Sequence, residues 1–356
     1  MKTRLLTADI FAAQALRLLF ALNALFFLAF LATVITLGSK ARADDMPACT
    51  GMNLIADLEA RDPVKLKAIR DEAAKMPNGS GLLWKIEKVG TEPSFLFGTM
   101  HLTDARVITL PEKAQAAFDG AGTVVLEATD ALDEAKASAA LLSRPDLIMF
   151  TDGRTLASLI PEADRAMVEK ALADRGMPLV AVNAMKPWVV SSAIALPACE
   201  MARKKAHMPF LDMKLAQDAK TSGKQVGGLE TMVSQLETMN SLPAELHVAG
   251  LVDTLALGST LDDMIETMII LYKQGETGMI WPLLEAVSPN KPGAAEGYAE
   301  FERVMVTRRN HAMADNAVPF LGKGKAFIAV GALHLPGEEG LVELLRAKGY
   351  TVTPAG

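Results

Sequence analysis

Two stretches near opposite ends of this chain share one pattern, and a fold must accommodate both. "SFLFGTMH", "PEKAQAAFDGAG" and "TVVLEA", between residues 94 and 128, read as strand, helix and strand. "AFIAVGALH", "GEEGLVELLRAKG" and "YTVTPA", between residues 326 and 355, read the same way. In both, the first strand closes on Gly-x-x-His: "GTMH" at 98–101 and "GALH" at 331–334. A repeated β–(Gly-x-x-His)–α–β unit predicts an α/β fold whose sheet core is built from two half-units. Between them, about 131–315, the chain reads as largely helical, rich in Ala and Met and punctuated by Pro145, Pro187, Pro197, Pro209 and Pro243. Within this middle, "KQVGGLE" reads as a short strand. Ahead of the first motif, "MNLIADLEARDPVKLKAIRDEAAKM" has helical periodicity, and "LLWKIEKVG" pairs with "PSFLFGTMH" as a hairpin across Gly90-Thr91-Glu92.

The first 43 residues stand apart. Lys2, Arg4 and Arg17 precede an uncharged run from Leu18 to Leu37, and Ala41-x-Ala43 follows in "SKARADD". This is the pattern of an export signal cleaved after Ala43. The apolar run, about 20 residues, is also long enough to serve as an uncleaved membrane anchor. Either way residues 44–356 are expected outside the cytoplasm, in the periplasm or cell envelope, as a single domain. Without residues 1–43 the chain keeps 31 basic and 41 acidic residues, a net charge of −10, which argues against nucleic acid as a partner. Membrane contact is expected only if the N-terminal segment stays uncleaved. Cys49 and Cys199 both lie in the exported part and have no Cys or His at ligand spacing, so a disulfide is expected.

The chemistry concentrates at the two motifs. In open α/β sheets ligands sit at the carboxyl ends of strands. A glycine there permits a sharp turn or a close approach to a ligand. His101 and His334 would then enter one crevice, and two neutral imidazoles suit a divalent first-row metal. Glu127, closing the apolar run "TVVLE", is the candidate third ligand; the alternatives are a general base and a structural ion pair. Arg309 and Asn310, in "TRRNHAMADN", are candidates to steady an oxyanion. Arg308 reads as solvated. His311 has no repeat partner, and His207 and His247 sit in the helical middle without ligand spacing. The chain has no His-Glu-x-x-His, no Gly-x-Ser-x-Gly and no Walker loop, and "GKGK" at 322–325 reads as a turn.

This ordered set resembles the TraB/GumN family, which includes the Tiki metalloproteases. "GTMH", the glutamate of "VVLEA" at 124–128, the pair Arg309-Asn310 and "GALH" match its marks in order. "FLDMKLAQDAKTSGKQVGGLETMVSQ", residues 210–235, fits its central pattern and draws attention to Glu230. The resemblance covers roughly residues 80–355 and implies a metal-dependent peptide hydrolase. By the same resemblance the cation is manganese or cobalt, with zinc also admissible. Distant similarity to erythromycin esterases and ChaN proteins leaves two alternatives: a small-ester hydrolase, or a non-catalytic envelope protein that binds a peptide or small ligand on the same fold.

Overall fold

The structure is a computed structural model that describes residues 49–287 and 294–356. Residues 1–43, expected to be an export signal or an uncleaved anchor, lie outside the described residues. Among those described, no helix is long and apolar enough to cross a membrane.

Six strands form one mixed sheet. In chain order they are β1 (Leu83–Glu87), β2 (Ser94–Thr99), β3 (Thr123–Leu126), β4 (Gln225–Gly228), β5 (Ala326–Gly331) and β6 (Thr351–Pro354). Their order across the sheet is β4-β3-β5-β2-β1-β6. β1 and β2 form the expected hairpin, with Trp84 opposite Leu96. β2, β3, β4 and β5 are mutually parallel, and β1 runs antiparallel to both of its neighbours.

Both half-units are present, and they interlock. β2 reaches β3 through the helix Glu112–Gly120, while β5 reaches β6 through the helix Leu341–Ala347. β5 lies between β2 and β3, so the second half-unit starts inside the first. The two connecting helices cover opposite faces of the sheet. Phe97, Val124, Leu126, Phe327 and Ala329 pack with Ala114, Phe118, Leu211, Leu215 and Ile269. Leu96, Val125, Ile328 and Val330 pack on the other side with Met313, Ala317, Leu341 and Leu345. Alternate residues of one strand thus enter different cores, and for this reason the central strands read as continuous apolar runs.

The helical middle builds its own core, where Val168, Leu172, Val190, Ile194, Leu251 and Leu255 meet. The lead-in divides into helices Leu54–Arg61 and Pro63–Ala73. Asp62 has φ −146°, outside the helical region, as a residue before proline prefers, and its carboxylate caps the second helix at the Lys65 N–H.

Cys49 and Cys199 form the expected disulfide, with Cα atoms 5.3 Å apart. It ties the start of the described chain to the helix Ala198–Lys205. Thiol labelling of denatured, unreduced protein is expected to find no free cysteine, and two after reduction. Two labelled thiols before reduction would show the bridge absent.

Candidate active site

The carboxyl ends of the parallel strands carry the polar groups. Thr99 at the end of β2 lies opposite Gly331 at the end of β5, and Leu126 of β3 lies opposite Ala329 of β5 and Gly228 of β4. His101, Glu127, Glu230 and His334 therefore leave neighbouring strands at one edge of the sheet. Both β2 and β5 end before their histidines. The second histidine belongs to a single 3₁₀ turn, Ala332–His334.

The glycines of the two motifs serve packing between the halves. A Cβ on Gly98 would lie 2.8 Å from Leu335 Cδ1 and 3.0 Å from Ala332 Cα. A Cβ on Gly331 would lie 3.1 Å from Glu127 Oε1 and 3.4 Å from His334 Cδ2. The Gly331 N–H donates to the same carboxylate oxygen at 2.6 Å. Its φ of −52° is open to any residue, so the glycine is required by close approach. A Gly331→Ala substitution should cost about 1–3 kcal/mol, the usual penalty of an extra carbon in a packed site. Urea unfolding checks this, and an unchanged midpoint would mean that Glu127 yields freely.

Glu127 anchors a buried network. Its Oε2 accepts from Arg309 Nη2 at 2.8 Å and from Gln235 Nε2 at 3.3 Å. Arg309 also grips Glu230, with Nη2 at 2.8 Å and Nε at 3.1 Å from Oε2, and Gln235 Nε2 donates to that oxygen at 3.1 Å. The remaining guanidinium nitrogen, Nη1, donates to the Met305 carbonyl at 3.1 Å. Glu230 arrives because the chain leaving β4 stays beside β3: its N–H donates to the Glu127 carbonyl at 2.7 Å. Burial alone would raise the Glu127 pKa, but the imidazoles of His334 and His101, the guanidinium and the Gly331 N–H together hold it down at about 2. Arg309 is pushed up, burial opposing and the two carboxylates prevailing.

His334 is fixed in one tautomer. Its Nδ1 lies 2.6 Å from Asn310 Oδ1, while Asn310 Nδ2 donates to the Glu339 carbonyl at 2.9 Å. The amide is thereby oriented with its oxygen to the ring, so Nδ1 carries the proton and Nε2 presents a lone pair. Burial is the main force lowering the His334 pKa to about 4, so the ring is neutral near pH 7. Nε2 lies 3.7 Å from Glu127 Oε1. Two electron-pair donors thus face each other with no proton between them. Ligands about 2.1 Å from one ion lie about 3.4 Å apart at a tetrahedral angle and about 3.0 Å at an octahedral one, so this pair would have to close by a few tenths of an ångström on a cation.

His101 sits differently. Its side chain is 56 % exposed, packed edge-on against Phe210, with Nε2 3.6 Å from Asp212 Oδ2. Burial opposes its protonation, but the carboxylates of Asp212 and, more distantly, Glu127 raise its pKa to about 9. The open side of the ring lets solvent screen part of that pull. Among the described residues no group of three or more His, Cys, Asp or Glu side chains is gathered closely enough to hold a metal ion. Of the expected set, Glu127 and His334 meet, while His101 pairs with Asp212. Arg309 and Asn310 also reach the site, by contacts other than those expected: their polar groups engage Glu127, Glu230 and His334. Asp212 and Gln235 lie within residues 210–235, the stretch that fits the family's central pattern, but neither is among the expected site residues; the fold brings both to the site. His311 pairs with Glu339 at 2.9 Å on the surface, and His247 bonds the Met239 carbonyl at 3.0 Å, both outside this network.

Metalloprotease TIKI1 of Danio rerio is 28 % identical over 324 residues, 78 % of this chain and 64 % of that protein. Metalloprotease TIKI2 of Danio rerio is 25 % identical over 342 residues, 82 % of this chain and 64 % of that protein. Metalloprotease TIKI1 of Homo sapiens is 26 % identical over 328 residues, 78 % of this chain and 63 % of that protein. The chain thus spans a little under two thirds of the length of these relatives. No solved structure matches it. The profile of the TraB/PrgY/gumN family matches residues 82–354, from the first strand of the sheet to the last, and the chain belongs to that family.

Proposed function

We propose that this chain is an exported metal-dependent hydrolase acting on peptides, with Glu127, His334 and His101 holding one divalent cation. The observation that carries the reading is the 3.7 Å approach of His334 Nε2 to Glu127 Oε1, with His334 Nδ1 held by Asn310 Oδ1 at 2.6 Å. Relatives named metalloproteases support it, as do the disulfide and the export signal for a destination outside the cytoplasm. A bound cation would supply Lewis acidity and make water a nucleophile near neutral pH. By the resemblance it is manganese or cobalt.

The chain's own groups prepare the site. Asn310 holds the proton on His334 Nδ1, which keeps Nε2 free to bind. Arg309 and Gln235 secure Glu127 Oε2, leaving Oε1 turned to His334. Glu127 suits ligation better than general base catalysis, because a carboxylate held ionised by so many partners is a weak base. His101 would release its Nε2 proton to serve as a ligand, so cation uptake is expected to release protons.

The test uses purified full-length protein. Bound metal is measured, and a mixed peptide library is digested with and without chelator, then with Mn²⁺, Co²⁺ or Zn²⁺ restored. Hydrolysis lost to chelation and recovered with one of these ions is expected. Absence of bound metal, or hydrolysis indifferent to chelator, would refute the reading.

A further inference from the structure

We propose that Asp212 is a further ligand of the same cation, which would draw together two carboxylate–imidazole pairs that are not gathered into one cluster in this structure; this rests on the metal-site reading above. Asp212 opens the helix Leu211–Thr221 and points to the carboxyl end of β2. Its side chain is only 6 % exposed. Oδ1 accepts from the Thr99 hydroxyl at 3.1 Å. Oδ2 is buried and has no hydrogen-bond partner among the described residues. The nearby Tyr272 hydroxyl cannot supply one, because its proton goes to the Gly98 carbonyl at 2.9 Å. A carboxylate oxygen buried without a donor is costly, and such atoms call for an explanation.

The surroundings supply one. Oδ2 faces His101 Nε2 at 3.6 Å, beyond hydrogen-bond reach. Glu127 Oε1 faces His334 Nε2 at 3.7 Å. The two carboxylate–imidazole pairs are alike in spacing and in anchoring. Thr99 holds the far oxygen of Asp212, and Arg309 holds the far oxygen of Glu127. Because Thr99 and Gly331 are register partners, the pairs stand side by side at the ends of adjacent strands. A mixed set of nitrogen and oxygen donors selects a divalent first-row ion over Ca²⁺, which prefers oxygen alone.

The variants are Asp212→Asn, which preserves shape and the Thr99 contact, and Asp212→Ala. Full-length protein is stripped with chelator and titrated calorimetrically with Mn²⁺, and the visible absorption of the Co²⁺-loaded protein is recorded. Urea unfolding of the metal-free forms is run in parallel. At least a tenfold loss of Mn²⁺ affinity is expected in both variants, with an altered Co²⁺ spectrum. Metal-free Asp212→Asn should stay close to the parent in stability, since it loses the solvent-screened pairing with His101 but also the cost of a buried charge. Should the alanine variant not fold, the asparagine variant decides. Parent-like affinity in Asp212→Asn would overturn the assignment and leave the metal site standing. Loss of affinity together with loss of metal-free stability would make Asp212 a structural residue and overturn it too. A parent protein that takes up neither Mn²⁺ nor Co²⁺ would overturn both this assignment and the metal-site reading.

Discussion

Replacing Arg309 with Met should lower the stability of the metal-free protein by about 3–5 kcal/mol near neutral pH, the cost of leaving buried charge without its partner. Arg309, Glu127 and Glu230 are exposed by only 10 %, 8 % and 8 %, so water cannot replace the lost guanidinium. Methionine fills similar volume and leaves two carboxylates facing each other with Gln235 between them. One of them must then take up a proton, its pKa raised above the unfolded value. The pH dependence follows in sign. In the parent, Glu127 is depressed to about 2, so its contribution is complete above the ordinary value of 4.5 and fades as pH falls through that interval. In the variant the raised carboxylate favours folding at lower pH, and the deficit should shrink toward about pH 5. Urea unfolding at both pH values measures this. A deficit equal at the two would mean that neither carboxylate depends on Arg309 for its charge.

His334→Ala should reduce divalent-metal affinity by at least about 100-fold, beyond the 10–100-fold typical of groups that only support a ligand. Asn310→Ala should fall within that supporting range, since it loses the partner that fixes the His334 tautomer but keeps the ring. His101→Ala should behave like His334→Ala. His207→Asn and His311→Gln, outside the network, should bind as the parent does. Bound Mn²⁺ after dialysis, with circular dichroism for folding, reads all five. Full metal retention in His101→Ala beside loss in His334→Ala would rule out a site shared by both motifs. Retention in both would make the histidines structural.

The local grammar of the sheet was readable because each cue acts over a few residues. The hairpin follows from two apolar runs around Gly90, and Glu127 stands out because a charge closes a buried run. The interlocking of the halves was not readable. Nothing in "AFIAVG" states that it will lie between β2 and β3, since every buried parallel strand presents the same apolar surface. The polar partners divide in the same way. Arg309 and Asn310 were found as a pair, but which groups they touch depends on how the helix Arg308–Leu321 crosses the sheet. Asp212 falls within the stretch 210–235 that fits the family's central pattern, but an acid in the first turn is favourable at any helix start, so its type alone assigns it no role. Only the tertiary structure shows that one of its oxygens is buried and unpaired.

The central position of β5 also governs the order in which the protein can be made. A ribosome delivers β1, β2 and β3 early, but β2 and β3 do not touch: the strand that joins them is Ala326–Gly331, which follows β3 only after the whole helical middle. Pairings such as Phe95 with Phe327 must wait for it. Contacts so distant along the chain make folding slow and leave intermediates with open strand edges exposed to aggregation. Removing the last stretch of the chain would accordingly delete the keystone of the sheet and leave its first half in two unconnected pieces.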